Sequence, residues 1–156
     1  DGLYYGMNHA YLINITDLNG KKISSFSLER KTKDISDRAL RSRFNSLPRK
    51  PPPDVVDAII KTLPRQHTYF TGIEIHNGLI YVFQPDLEDT NHQGLDIFSP
   101  TGKYLYRADI KAGNGLTMIR SPYNNLFIKK DYLYIALENK EGEITITKYR
   151  IRLPKL

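Results

Sequence analysis

Three clusters of side chains in this chain have types that could do chemistry. Arg65, His67 and Tyr69 lie close together where a loop leads into a strand, and a cation, an imidazole and a phenol there could bind an anionic or sugar-like ligand. Asp86, Glu88, Asp89, Asn91 and His92 crowd one loop with oxygen ligands of the kind Ca²⁺ takes. Their spacing departs from the EF-hand loop, which needs Gly at its sixth position, so the reading is a solvated acidic loop without a metal. Arg120 and Asn124 lie in or beside a third long loop and complete the candidate ligand-binding set.

Catalytic patterns are thin. The four histidines, His9, His67, His76 and His92, never take the helical spacing of a zinc protease. No serine sits in a nucleophile elbow. Cys is absent, which excludes a disulfide framework and any thiolate chemistry. Gly113-Asn114-Gly115 is too short for a phosphate-binding loop and reads as a turn. Asn14-Ile15-Thr16 matches a glycosylation acceptor but falls inside an expected strand. The residues therefore name no catalytic group and no cofactor.

A repeated strand signature organises the elements that must position these residues. It reads Gly2-Leu3-Tyr4-Tyr5, then Gly78-Leu79-Ile80-Tyr81, then Asp131-Tyr132-Leu133-Tyr134. After the first two copies comes an apolar strand ending in a tight turn, Leu18-Asn19-Gly20-Lys21 in one and Pro100-Thr101-Gly102-Lys103 in the other. A repeated unit buries its faces against its neighbours.

The pattern predicts strands at Leu3–Met7, Ala10–Thr16 and Lys22–Leu28. A four-strand set follows at Tyr69–Ile75, Leu79–Phe83, Leu95–Phe98 and Tyr104–Asp109. A last set falls at Asn125–Lys129, Tyr132–Leu137 and Ile144–Leu153. Between the first two sets, Ser36 caps a short helix to Phe44. Asp54 caps a second helix to Leu63, with Val55, Val56, Ile59, Ile60 and Leu63 on one face. A proline-rich strap joins the two helices. The expected organisation is an incomplete set in 1–29, a basic helical insertion in 30–68, a complete set in 69–110 and a final set without its outer strand in 111–156.

Composition bounds the partners. The 156 residues are 40% hydrophobic and 26% charged, as in an ordinary globular domain. From Arg30 to Lys50, eight basic residues face two acidic ones, and this segment holds the whole net charge of +6. The rest of the chain is neutral, which weighs against a nucleic-acid-binding surface spread over the fold. No apolar run approaches the roughly 20 residues that span a bilayer. No signal peptide is visible, and a start at Asp1 rather than Met reads as processing or truncation.

A four-strand meander repeated at this spacing resembles a propeller blade. The chain resembles bacterial six-bladed β-propeller proteins of the NHL-like kind. The resemblance rests on Asn77-Gly78-Leu79-Ile80-Tyr81-Val82 followed by Leu95-Asp96-Ile97-Phe98-Ser99-Pro100-Thr101-Gly102-Lys103-Tyr104-Leu105. The stretch Asp131-Tyr132-Leu133-Tyr134-Ile135 with Lys148-Tyr149-Arg150-Ile151 is similar to a final blade. The resemblance implies an all-β partial propeller of about 2.5–3 blades with a helical insertion, matching the C-terminal half of such a protein. It implies completion by the remaining half or by a second copy of the chain, and a periplasmic or extracellular location. It also implies that loops Arg30–Thr68, Gln84–Gln93, Lys111–Pro122 and Glu138–Glu143 open on one face. The expected function is noncatalytic: that face engages a protein, peptide or glycan. The alternatives are a hydrolase or lyase with a channel metal near Glu74, Asn124 and Asn125, and anionic-polymer or lipid binding through residues 30–50.

Overall fold

The computed structural model describes residues 2–45, 47, 49–84, 91–113, 115–119 and 126–153. Its first sheet holds β1 (Leu3–Met7), β2 (Leu12–Thr16) and β3 (Lys22–Ser27) in that order, all antiparallel. Asp17 Oδ1 accepts the Asn19 and Lys21 N–H groups at 2.9 and 2.8 Å, and Gly20 takes φ +83°. A short polar side chain and a residue free of Cβ thus close the turn foreseen at Asn19-Gly20. The second strand starts at Leu12 rather than Ala10, because the Ala10 N–H and C=O are spent on Met7 and Leu12 in the preceding turn.

The second sheet is a meander of β4 (Gly72–His76), β5 (Leu79–Gln84), β6 (His92–Phe98) and β7 (Tyr104–Lys111). Asn77 and Gly78 both have positive φ (49° and 74°), as the two-residue hairpin between β4 and β5 requires. The third sheet holds β8 (Thr117–Met118), β9 (Leu126–Lys129), β10 (Tyr132–Glu138) and β11 (Ile144–Arg150). Both β8 and β9 pair with β10, at opposite ends of it. The short strand β8 was not foreseen. Two residues between glycines and a proline give no period to read, but Met118 is buried in the core and anchors the pairing.

The middle sheet is buried on both faces, so β5 lacks a polar side. Ile80, Val82 and Phe98 pack with Tyr11, Ile13, Ile15 and Phe70 of the first sheet and its approach. Tyr81, Phe83, Leu95 and Ile97 pack with Leu133, Ile135 and Leu137 of the third. Each such side chain contributes about 1.5–3 kcal/mol on burial. The chain is thus mostly β, with three antiparallel sheets stacked in chain order.

Two helices leave this stack between β3 and β4: α1 (Asp37–Asn45) and α2 (Pro53–Thr62). Ile35, Leu40, Val56 and Ile60 form a small core of their own, with Phe44 and Leu63 against it. Val55 and Ile59, expected on the buried face of α2, are exposed. Val56, Ile60 and Leu63 pack against α1, and Asp57 pairs with Arg41 across the two helices. Ser36 caps α1 as expected, its Oγ accepting the Ala39 N–H at 3.1 Å. Asp54 does not cap α2. The helix starts one residue earlier, with Pro52 at the cap position, Pro53 in the first turn and no side-chain cap bond. Proline fits there because its missing N–H would have no helical partner. Asp54 instead places its charge in the positive first turn. Among the described residues no helix is long and apolar enough to cross a membrane.

Glu74, at the centre of β4, ties the second sheet to the third. Its Oε2 accepts the Ile128 N–H of β9 at 2.9 Å. Burial raises its pKa above the ordinary 4.5, while the Ile128 bond and the charge of His76 oppose the rise. The fold therefore favours the protonated carboxyl. That stability is complete below about pH 4.5 and is lost as pH rises through the raised value. Glu74→Gln keeps the acceptor without the titration. Against the wild type it gains stability between pH 4 and pH 7, by less than about 1 kcal/mol because the site is half open to water. Urea unfolding across this range checks it, and parallel pH profiles would contradict it.

Candidate functional site: a basic cleft between the second sheet and the helical insertion

Strand alternation assembles the site. On β6, His92, Gly94, Asp96 and Phe98 share the face turned to the first sheet. The register sets Gly94 beside Gln84 of β5, and Asp96 beside Arg107 of β7. Asp96 is fully buried in a strand whose neighbours are apolar. An isolated carboxylate there would be costly, so it must be paired.

Its partners come from the turns flanking the first sheet and from β5. The Arg30 guanidinium, just beyond β3, forks onto it, with Nη1 at 2.8 Å from Oδ2 and Nη2 at 3.2 Å from Oδ1. The Tyr11 hydroxyl donates to Oδ2 at 2.8 Å, and Gln84 Nε2 donates to the same oxygen. Gln84 Oε1 in turn accepts from Arg30 Nη1 and, at 3.3 Å, from Arg107 Nη1. Burial, then the charge and hydrogen bond of Asp96, push the Tyr11 phenol far above its ordinary pKa. It stays a donor at every physiological pH. The network fixes Arg30 in one pose, which a surface arginine would lack.

A second cation is positioned by a glycine. The Arg107 guanidinium lies over Gly94, where an added Cβ would stand 3.2 Å from Nη2 and 3.3 Å from the Gln84 Cβ. Arg107 also reaches Asp109 through Nε at 3.4 Å, and His92 Nε2 is 3.1 Å from the same carboxylate. The side chains of Arg30 and Arg107 remain 25% and 40% exposed, so both present charge to solvent.

The two arms of the helical insertion form the opposite wall. Ile35 N–H donates to Arg65 C=O at 2.7 Å and His67 N–H to Lys33 C=O at 3.1 Å. With the Asp34–Gln66 bridge this makes a short antiparallel clasp. The clasp brings Lys31, Thr32 and Lys33 alongside His67, Thr68 and Tyr69. Between the walls is a cleft of about 130 Å³, floored by Gln84, Gly94 and Arg107. Among the described residues, Arg30, Lys31, Lys33 and Arg107 line the cleft, with Asp96 and Asp109 beside the two arginines.

The structure thus gathers His67, Tyr69 and His92 on one cleft. Arg65 is not with them. Its guanidinium pairs with Asp37 of α1, and that hydrogen bond, then the charge, hold the Asp37 carboxyl below its usual value. Asp86, Asp89, Arg120 and Asn124 lie outside the described residues, as do most of the acidic loop and Asn125. Glu74, considered for a channel metal, accepts the Ile128 backbone N–H through Oε2.

Sequence reasoning missed Arg30, Gln84, Asp96, Arg107 and Tyr11. Arg30 was hidden in a run of surface charge. The one local signal was Asp96 itself, an acid between Leu95 and Ile97 on an apolar strand, since a buried acid demands a cation. No family model, no curated protein and no solved structure matches the chain.

Proposed function

We propose that the chain is a noncatalytic recognition module whose cleft between the second sheet and the arms of the helical insertion engages an anionic group of its ligand. The single observation that carries this reading is the buried Asp96 network. It pairs Arg30 internally, holds it rigid, and sets Arg107, 40% exposed, beside it at the cleft mouth. A fixed cationic site spends little of its binding energy on ordering side chains. In the same reading the three sheets are successive blades of a β-propeller and the cleft opens on its loop-bearing face. The stacking of sheets in chain order on both faces of the middle one supports this.

Fluorescence anisotropy with a labelled hexaglutamate peptide at low salt tests the site. The wild type binds, and Arg107→Ala weakens binding about tenfold, the loss expected for one charge-assisted hydrogen bond. Arg38→Ala, on the exposed face of α1, changes it less than about twofold, as a distant surface charge should. Weakening by Arg38→Ala with none by Arg107→Ala would transfer binding to the basic helix and overturn the proposal.

A further inference from the structure

We infer that the ligand of this cleft is an acidic saccharide, a sugar unit carrying a carboxylate; the inference rests on the anion-binding reading above. The described residues lining the cleft include no aliphatic side chain. Peptide recognition relies on apolar pockets or on pairing with a free strand edge, and this cleft has neither: its floor strands β5 and β6 are paired on both sides. Its walls carry the groups a sugar ring requires. The hydroxyls of Thr32 and Thr68 exchange hydrogen bonds with sugar hydroxyls in either direction.

Tyr69 offers a half-buried ring whose orientation is fixed by its edge contact with Tyr11, at 6.1 Å between centroids. Such a ring stacks on the C–H face of a pyranose while its hydroxyl stays wet. The guanidinium of Arg107 supplies the planar fork that a carboxylate matches. A phosphate dianion fits less well. Asp96 and Asp109 stand beside the cations and oppose a second negative charge, and among the described residues lining the cleft none belongs to a helix N-terminus.

Calorimetric titration with trigalacturonate, maltotriose, hexaglutamate and inorganic phosphate separates the outcomes. Trigalacturonate is expected to bind at least about tenfold tighter than maltotriose, the weight of one charge-assisted contact. It should also bind tighter than hexaglutamate. Tyr69→Leu should weaken trigalacturonate about fivefold and leave hexaglutamate unchanged, while Tyr69→Phe keeps most of the affinity. Because Tyr69→Phe retains the ring, it keeps the test valid should Tyr69→Leu fold poorly. Hexaglutamate binding as tightly as trigalacturonate, with loss in Arg107→Ala, would overturn the saccharide and leave the anion site standing. Phosphate displacing trigalacturonate at equal concentration would reduce the cleft to a simple anion site and overturn it as well. Binding of neither organic anion would sink both readings.

Discussion

Replacing Asp96 by Ala costs the chain about 3 kcal/mol of stability, the low end of what removal of one partner from a buried ion pair costs. The reason is what remains behind. Arg30 keeps a largely buried charge with no counter-charge, and Tyr11 and Gln84 lose their common acceptor. Arg30 stays a quarter exposed, so water can relieve part of the penalty. Removing both charges should therefore hurt less than the sum of the single changes. In a cycle of Asp96→Ala with Arg30→Met, the double variant should recover at least about 1 kcal/mol of the summed loss. Urea denaturation of the four proteins measures this. A single Asp96→Ala variant within 1 kcal/mol of wild type would show that the network does not hold the first two sheets together.

Gly102→Ala should lower stability by about 2–4 kcal/mol, and for a different reason. Gly102 has φ +81°, where a side chain costs about 1 kcal/mol. An added Cβ would also stand 2.4 Å from the Phe26 Cγ and Cδ1 and 2.7 Å from its Cβ. These atoms are at the root of the side chain and cannot swing aside. Phe26 itself is held against Phe98, with ring centroids 4.9 Å apart. Overpacking here adds a further 1–3 kcal/mol or so. Gly20, also at positive φ (+83°), has nothing within 4 Å of its Cβ position. Gly20→Ala should therefore cost only the backbone share. Thermal unfolding of the pair checks the contrast, and equal losses would contradict the inter-sheet contact at Gly102.

The fold was largely legible because its signals are local. Gly-aromatic strand starts, Asn19-Gly20, Asn77-Gly78 and the two prolyl segments each act within a few residues, and they mark the three sheets and both helices. Where the reading failed, a local rule lost to a longer-range contact. Asp54 is a good cap in isolation, yet Pro53 at the first helical position moved the helix start upstream of it. Strand β8 exists because β10 extends past β9 and offers Leu137 and Glu138 as partners. The site was half legible. His67, Tyr69 and His92 could be singled out as polar residues at the ends of long loops. The groups that hold them into a site could not. Tyr11 and Asp96 are 85 residues apart, and Arg30 and Asp96 are 66 apart. Only the stacking of one sheet on the next reveals such pairs.

The central claim is that the cleft, and not the basic helix, is where this chain meets its ligand. Backbone amide shifts in a two-dimensional NMR titration with hexaglutamate locate the contact directly. The account predicts saturable shifts at Lys31, Thr32, Thr68, Tyr69, His92, Gly94 and Arg107, with the Arg107→Ala variant abolishing most of them. Shifts confined to α1, around Arg38 and Arg41, and unaltered by Arg107→Ala, would contradict it.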